Sequence, residues 1–457
     1  MLREYIMLTR RKFLEKAGVV FLGAGASMLT AYGKPAIFAN NGGKKKNVIW
    51  ILADDLGYGD VGSYGCRDIS TPNIDRLAQD GAMFTRSYAY PACTPTRAAL
   101  LTGRYPEKAG ITGVLMGKGG MDSSATTIAE VFKKSGYTTA CIGKWHLGYA
   151  GDTLPNSQGF DFFYGHRGGK IDYFKHTDTA QKLKNDPNGK HDLYKNQTEI
   201  FEENKYSTNL FTNSALNFIK ENSSKPFFMY LAYNAPHYSR HKELQAPGIS
   251  HHQVGQSSTR EVYAAMVECM DEGIGQIIKM LESAGLADDT IICFISDNGA
   301  DPVHGGSNGL LREKKGTCWE GGIRTPLIIK WPGLSTNGTK INCPIGIYDL
   351  FPTFVKKLGL KYDIKNLDGV DISGIFKSDN VLARRNIYLR FASQGAVIDG
   401  KWKMMKDKDQ RFLFDLENDF REQHDLANEH PAVLDKMYNS YLGWEKTLIK
   451  PLKKRSM

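Results

Sequence analysis

Two pairs of oxygen-bearing side chains stand directly after long apolar runs in this 457-residue sequence. Asp54-Asp55 follow NVIWILA, and Asp297-Asn298 follow TIICFIS. Together they offer three carboxylates and one amide, an all-oxygen set that suits Ca²⁺ or Mg²⁺ better than zinc. Paired acids at a strand end also serve as helix caps, so the weight lies in the repetition of the same local setting. Arg97, Lys144, His146, His237 and Lys315 come from four other segments. A metal beside several fixed cations is what binding and polarising a tetrahedral oxyanion requires. Taken singly, each would serve as a surface lysine or a satisfied core histidine. Cys93 heads the segment Cys93-Thr94-Pro95-Thr96-Arg97, with proline placed for the first turn of a helix. Free N–H groups and the positive end of the helix dipole favour an anion there. A structural cysteine or a thiolate nucleophile would fit the same place, although no other feature has the pattern of a thiol hydrolase.

Positioning these groups takes a sheet. The runs at 47–53, 137–142 (YTTACI), 226–233 (PFFMYLAY) and 290–296 each end in or lead into a polar cluster. The clusters are Asp54-Asp55, Gly143-Lys144-Trp145-His146, Asn234-Ala235-Pro236-His237 and Asp297-Asn298-Gly299. Near-continuous apolar strands imply a sheet covered on both faces, hence parallel strands with helical crossovers. Helical spacing at 73–80, 126–135 and 259–284 supplies such crossovers. In α/β sheets, ligands collect at the carboxyl ends of the strands, where these clusters fall. The expected fold is therefore α/β, with a large, mostly parallel central sheet flanked by helices. From about residue 348 the texture changes. A helix over 349–359, short strands at 385–391, 396–398, 402–405 and 412–415, and a closing helix at 431–448 predict a smaller C-terminal antiparallel sheet with a helix.

Composition is that of an ordinary globular protein, with 41% hydrophobic and 24% charged residues. There is no fixed-period repeat, heptad array or low-complexity tract. Of the formal net charge of +10, residues 1–39 hold six Lys/Arg against two Asp/Glu, so they contribute +4 and leave +6. Such an excess raises the local concentration of an anionic substrate, while most of these lysines solvate the surface. No zinc finger, basic recognition helix or RNP motif is present, which argues against nucleic acid as a partner. Thr9-Arg10-Arg11-Lys12-Phe13-Leu14 precedes a Gly/Ala-rich apolar run at 17–32, short for a bilayer span. Residues 1–39 therefore read as a twin-arginine-type signal peptide, with cleavage near Ala39 and an uncleaved anchor as the competing reading. An exported protein, periplasmic or extracellular, is expected. The seven cysteines, Cys66, Cys93, Cys141, Cys269, Cys293, Cys318 and Cys343, match no zinc site or disulfide framework. Cys141 and Cys293 lie in strand-like runs and are expected to be inert core thiols.

In their order, these motifs resemble the type I, formylglycine-dependent sulfatases, an arylsulfatase-like group within the alkaline phosphatase superfamily. Cys93-Thr94-Pro95-Thr96-Arg97 matches the C-x-P-x-R pattern that the family's maturation enzymes recognise when they oxidise the cysteine to formylglycine. AALLTGR follows it, and GKWHLG at 143–148 matches the family's second signature. Asp54-Asp55, Asp297-Asn298-Gly299, and Lys315-Gly316-Thr317 with Glu320-Gly321-Gly322 fall in the family's order. The likeness runs from about residue 47 to 426. It implies an alkaline phosphatase-like fold, with 40–347 as the catalytic domain and 348–457 as a smaller subdomain. The implied activity is sulfate ester hydrolysis by hydrated formylglycine 93, with Ca²⁺ rather than Mg²⁺. Asp54, Asp55, Asp297 and Asn298 would bind the ion together with an oxygen of residue 93. Arg97 would stabilise the formylglycine. Lys144, His237 and Lys315 would hold the sulfate, and His146 would serve the aldehyde. Lys314 adjoins Lys315, and the K-G-T spacing selects Lys315. One hydroxyl of the hydrate would attack sulfur, with Asp297 as the activating carboxylate and His237 protonating the leaving oxygen. His146 would then take a proton from the second hydroxyl and expel sulfate.

Residues 165–176 (GHRGGKIDYFKH) fall where related sulfatases often build a substrate pocket. His166, Arg167, Lys170, Asp172 and His176 would contact sugar hydroxyls or a further anion there; an ordinary polar surface loop fits the segment equally. A sulfated carbohydrate, from a glycosaminoglycan or an algal polysaccharide, is the expected substrate. The maturation enzyme and the twin-arginine export machinery are the expected protein partners. Tyr238-Ser239-Arg240 departs from the proline-rich sequence expected after the family's P-H. Two other functions stay open: a phosphonate monoester hydrolase or phosphodiesterase of the same superfamily, and a non-catalytic binder of sulfated glycans. The complete set of chemical residues argues against the second.

Overall fold

The run NVIWILA becomes the strand Asn47–Ala53, buried at all seven positions and placed at the centre of a ten-stranded sheet. It pairs in parallel with Phe227–Ala232 on one side and Thr290–Ser296 on the other. Thr138–Lys144 and then Phe162–His166 extend the parallel part outward. Beyond Thr290–Ser296 the direction reverses at Leu327–Lys330, followed by Ala82–Phe84 and Thr339–Ile341. Two short antiparallel strands, Tyr194–Lys195 and Thr198–Glu199, close the other edge. The coordinates are a computed structural model that describes residues 44–178, 190–202, 204–238, 259–376 and 382–448. The signal peptide expected at 1–39, and Ser239 and Arg240, lie outside the described residues.

Alternation along the central strand sends Val48, Trp50 and Leu52 to one face and Ile49, Ile51 and Ala53 to the other, each into its own core. The helices Cys93–Thr102, Ile128–Lys134 and Leu350–Lys357 cover the first face. The helices Pro72–Asp80, Ser207–Glu221 and Arg260–Ser283 cover the second. Burial of each Ile, Leu or Val in these faces contributes about 1.5–3 kcal/mol. Trp50 adds edge-on ring contacts to Phe228 and Phe354, at centroid distances of 5.4 and 5.2 Å. Burial on both faces is why these strands read as unbroken apolar runs.

The C-terminal part is a four-stranded antiparallel meander: Asn386–Phe391, Gln394–Asp399, Trp402–Asp407 and Gln410–Asp415. Its two-residue hairpins each place one residue at positive φ, namely Ala392, Gly400 and Lys408, as right-twisted hairpins require. Helix Pro431–Thr447 lies across it, with Pro431 in its first turn. Met404, Leu413 and Tyr441 join the core that contains Trp50 and Phe351, and the chain from Lys44 onward clusters as one compact unit. Among the described residues, no helix is long and apolar enough to cross a membrane.

Candidate active site

Parallel strands deliver their carboxyl ends to one edge of the sheet, and register decides which residues meet there. Leu52 pairs with Ala232, and Ala53 with Ser296, so the residues that follow emerge side by side. Asp54 N–H donates to Ala235 O, and Asp297 N–H to Ala53 O, which locks the strand ends together. Gly143 sits at φ +99°, and a Cβ there would lie 1.9 Å from Ala232 O. The glycine before Lys144 is thus required by close strand approach.

Asp54, Asp55, Asp297 and Asn298 are all buried. Asp55 occupies a left-handed conformation, φ +67°, a strained choice for a non-glycine residue that places its carboxylate inward. Asn298 Nδ2 donates to Asp55 Oδ1 at 2.8 Å, and Asp55 N–H donates to Asp297 Oδ1 at 3.2 Å. The hydroxyl of Tyr263, from helix Arg260–Ser283, lies 2.7 Å from Asp60 Oδ2 and 2.9 Å from Asp55 O, and its single proton serves one of them at a time. Asp60 in turn accepts from Gly57 N and Ser307 N, tying the loop after Asp55 to the loop after Asn298.

Cations ring these oxygens. Arg97 is fully buried and donates from Nη2 and Nε to Asp297 Oδ2, at 2.8 and 3.2 Å, and from Nη1 to Lys144 O at 2.9 Å. Lys144 is bound to Asp54, and Lys315 Nζ reaches Asp55 Oδ1 at 2.5 Å. Lys314 instead pairs with Asp301 at 3.0 Å. Burial opposes the Lys315 charge, yet the facing Asp55 outweighs it and holds the ammonium above its ordinary range. For Asp55 the balance runs the same way, with Lys315 and His237 holding its carboxyl well below the usual range despite burial. Asp297 is pushed up to about 6, by burial first and by the neighbouring Asp54 second. Burial likewise raises Asp54.

The donor set fits a hard divalent cation. Asp54 Oδ1 and Asn298 Oδ1 are buried with no hydrogen-bond partner, whereas buried polar atoms are otherwise almost always satisfied. Ligand atoms of Asp54, Cys93 and Asp297 lie within 4.8 Å of one another, as do those of Asp54, Asp55 and His237. Crowded carboxylates that resist ionisation accept a divalent charge readily.

Cys93 is the first residue of helix Cys93–Thr102, whose ten residues are all buried. Arg97 follows one turn later on the same face, so the C-x-P-x-R spacing puts residue 93 and the guanidinium over the same oxygens. The Cys93 Sγ lies 3.3 Å from His146 Nδ1. His146 is itself left-handed, φ +55°, and its Nε2 meets the Leu115 carbonyl at 2.9 Å. A carbonyl only accepts, so Nε2 carries the proton and Nδ1 turns its lone pair toward residue 93. Burial, reinforced by Lys144, lowers His146 to about 3 and keeps it neutral. His237 shows the opposite tautomer: Nδ1 donates to Tyr238 O at 2.9 Å, and Nε2 faces Asp55 Oδ2 at 3.6 Å. The fold thus brings together Asp54, Asp55, Cys93, Arg97, Lys144, His146, His237, Asp297, Asn298 and Lys315.

Comparison with known proteins agrees with this geometry. The family profile described as Sulfatase matches residues 46–360. The chain belongs to the sulfatase family. These are sulfuric ester hydrolases, and arylsulfatase J of Mus musculus is 36% identical over 343 residues, covering 72% of this chain and 56% of that protein. N-acetylgalactosamine-6-sulfatase of Rattus norvegicus is 34% identical over 382 residues, covering 78% of this chain and 70% of that one. The solved structure of Ps i-CgsB in complex with k-i-k-neocarrahexaose superposes with a TM-score of 0.81 at 35% identity, over 89% of this chain and 94% of that one. The sulfatase described here thus spans a little over half of the first of these relatives and nearly all of the last.

Around the core of this sulfatase, the segment 165–176 divides. Arg167 stacks its guanidinium on Tyr194 at 3.7 Å, and Lys170 lies 4.7 Å over the Tyr238 ring, beside His237. Asp172 and His176 do other work: both are buried, and Asp172 accepts from Phe174 N and Lys175 N while His176 Nε2 meets Lys205 O. Both hold the turn, and both side chains are buried. His166 is a fully buried strand residue paired with Lys144 and packed on Phe211. Sequence reasoning missed His304, whose ring stacks on Tyr238 at 3.4 Å, and the support given by Tyr263 and Asp60. A lone histidine beyond D-N-G, or a tyrosine within a long helix, carries no local signal of such a role.

Proposed function

We propose that this sulfatase removes sulfate from a sulfated carbohydrate, with formylglycine at position 93 and calcium held by Asp54, Asp55, Asp297 and Asn298. The observation that carries the reading is the pair of buried oxygens without a hydrogen-bond partner, Asp54 Oδ1 and Asn298 Oδ1, beside Cys93 inside a ring of fixed cations. When bound, the calcium ion supplies Lewis-acid charge, and formylglycine supplies a hydrated aldehyde whose two hydroxyls serve attack and release.

The chain's own residues do the rest. Asp54, Asp55 and Asp297 are balanced by Arg97, Lys144 and Lys315, so a divalent ion leaves the site net positive and selects an anionic ester. Lys144 and Lys315 hold the sulfate oxygens in a buried, low-dielectric setting where each charge-assisted hydrogen bond is strong. Arg97 fixes Asp297 and the Lys144 carbonyl against the residue at position 93. His146, neutral and with Nδ1 toward residue 93, accepts a proton there. His237, with Nδ1 committed to Tyr238 O, presents Nε2 toward the departing oxygen; burial holds it well below the ordinary histidine range, so it serves as the acid once the negative charge of the bound ester favours its protonated form. Arg167 and Lys170 flank the opening as contacts for the sugar.

Relatives support the carbohydrate assignment: one is named for N-acetylgalactosamine 6-sulfate, and one solved neighbour was crystallised with a neocarrahexaose. Cys93 is 3% exposed, so a maturation enzyme reaches it before folding, in keeping with twin-arginine export of a folded, periplasmic or extracellular protein. The test is release of sulfate, followed by ion chromatography, from defined sulfated oligosaccharides. One aryl group presented as sulfate, phosphate diester and phosphonate runs alongside. Preference for the sulfates supports the reading. Faster turnover of the phosphoryl or phosphonyl esters overturns it, and binding of sulfated glycan without turnover by fully matured protein leaves only a glycan binder.

A further inference from the structure

We propose that Glu422 and Lys403 of the C-terminal part are positioning residues for Lys315, and that with Gln394 they hold shut the loop whose tip carries that lysine into the anion site. This rests on the reading of Lys315 as a sulfate-holding cation and adds a cause for its placement.

Residues 312–321 leave and re-enter the molecule at one point, because Gly321 N–H donates to Arg312 O at 2.7 Å. Lys315 sits at the far end of this loop. Its backbone N–H donates to Ala300 O at 3.1 Å, and that of Gly316 to Pro91 O at 2.8 Å, so the tip rests between the D-N-G turn and the residues before Cys93. The approach is tight: a Cβ on Gly299 would lie 1.8 Å from Gly321 O, and one on Gly321 would lie 2.2 Å from Glu313 O. A small movement of the pinch therefore displaces Lys315 relative to Asp55.

Glu422 grips both sides of that pinch. Its Oε2 accepts from Glu320 N at 2.8 Å, and its carbonyl accepts from Arg312 Nη1 at 2.8 Å. The residue is fully buried and holds a left-handed backbone, φ +56°, a strained geometry that persists only where surroundings fix it. Lys403, on strand Trp402–Asp407, is also fully buried and bridges Glu422 Oε1 at 2.7 Å to Glu320 Oε1 at 3.0 Å. Tyr88 and Arg324 meet the other Glu320 oxygen at 3.2 and 3.4 Å. On the flank, Gln394 Oε1 accepts from Cys318 N at 2.8 Å, and the Arg312 guanidinium lies 3.8 Å over Trp319. Three side chains of the four-stranded sheet and the segment after it thus fasten a loop whose working residue faces the opposite way. None of the three touches the anion site, so their effect passes through Lys315.

The experiment uses the matured, calcium-loaded full chain. It measures inorganic sulfate binding by calorimetry, together with kcat and KM on an aryl sulfate. Glu422→Gln and Gln394→Ala are each expected to weaken sulfate binding and raise KM by about tenfold with kcat little changed, the signature of lost ground-state positioning. Lys403→Met is expected to do the same and Lys403→Arg to restore most of it. In a Lys315→Ala background, Glu422→Gln and Gln394→Ala are expected to change sulfate affinity no further, because coupled residues are non-additive. Equal losses with and without Lys315, or wild-type sulfate affinity in folded Glu422→Gln and Gln394→Ala, overturn the proposal. A wild-type protein that neither binds sulfate nor turns over the ester overturns instead the reading of Lys315 on which it rests.

Discussion

Arg97→Lys is the most informative single change in the core, because it keeps the charge and removes the fork. Arginine makes three hydrogen bonds from one plane: two to Asp297 Oδ2 and one, at 2.9 Å, to the carbonyl of Lys144. Lysine is shorter and carries a single nitrogen, so it serves the carboxylate or the carbonyl but not both. With Arg97, Asp297 and Lys144 all fully buried, the group left over bears a desolvation cost of about 1–3 kcal/mol. Loss of the second donor onto Asp297 Oδ2 adds to it, for a total of about 2–4 kcal/mol. At ~2.1 cal/mol/K per residue over the compact unit 44–457, the unfolding entropy is on the order of 0.9 kcal/mol/K, which converts that cost to a fall in Tm of about 2–5 °C. The same change frees the Lys144 backbone and rotates Asp297, so aryl sulfate turnover should fall by about 10²-fold. Differential scanning calorimetry and steady-state kinetics on matched, fully matured samples read both quantities. A variant within 1 °C of wild type and with near wild-type turnover would show that the fork does not organise the site.

Chelation of calcium should lower Tm, and calcium at about 100 times its Kd should restore about 2.7 kcal/mol, or about 3 °C; Asn298→Ala should lose that response, and a chelator-insensitive melt would speak against an ion at these oxygens. His237→Ala should cost about 10²–10⁴-fold on sugar sulfates with poor leaving groups and much less on activated aryl sulfates, so equal losses on both would remove it from the role of acid. Glu107 is 8% exposed with Oε2 unpartnered, and burial raises its carboxyl from 4.5 to about 7. Its folded pKa lies above its unfolded one, so its contribution is present below about pH 4.5 and about 3 kcal/mol is lost as pH rises through 7. Glu107→Gln should flatten the stability curve over that window, and urea titrations whose curves run parallel for the two proteins would refute the assignment.

Much of the main sheet was legible because parallel strands buried on both faces write themselves as apolar runs with polar punctuation at the carboxyl end. Thr290–Ser296 has the bounds expected, and the strands expected at 137–142 and 226–233 are found at Thr138–Lys144 and Phe227–Ala232. The buried acids Asp54, Asp55 and Asp297 and the C-x-P-x-R spacing were legible for the same reason, since each sits where a strand ends or a helix starts. Phe162–His166 was hidden because its last residues, Gly165 and His166, read as the opening of a polar pocket; pairing with Ala140–Lys144 makes them strand. Ala82–Phe84 is too short to show alternation, and helix Ser207–Glu221 carries polar residues at several buried positions. Sequence gave Asp172 and His176 polar chemistry without revealing that a turn would enclose both. The first strand of the small sheet starts one residue later than expected, while the other three are longer than expected, because their polar ends hold strand geometry through hairpin register. Nothing local couples Lys403 or Glu422 to residue 315; that link exists only once two distant sheets pack on one core.

The most direct test of the central claim pairs mass spectrometry of the peptide carrying residue 93 with sulfate release from a defined oligosaccharide. Protein co-expressed with a maturation enzyme should carry formylglycine at position 93 and release sulfate in proportion to its occupancy, while Cys93→Ala should fold and release none. Sulfate release by protein whose Cys93 is unmodified, or by Cys93→Ala, would contradict the account.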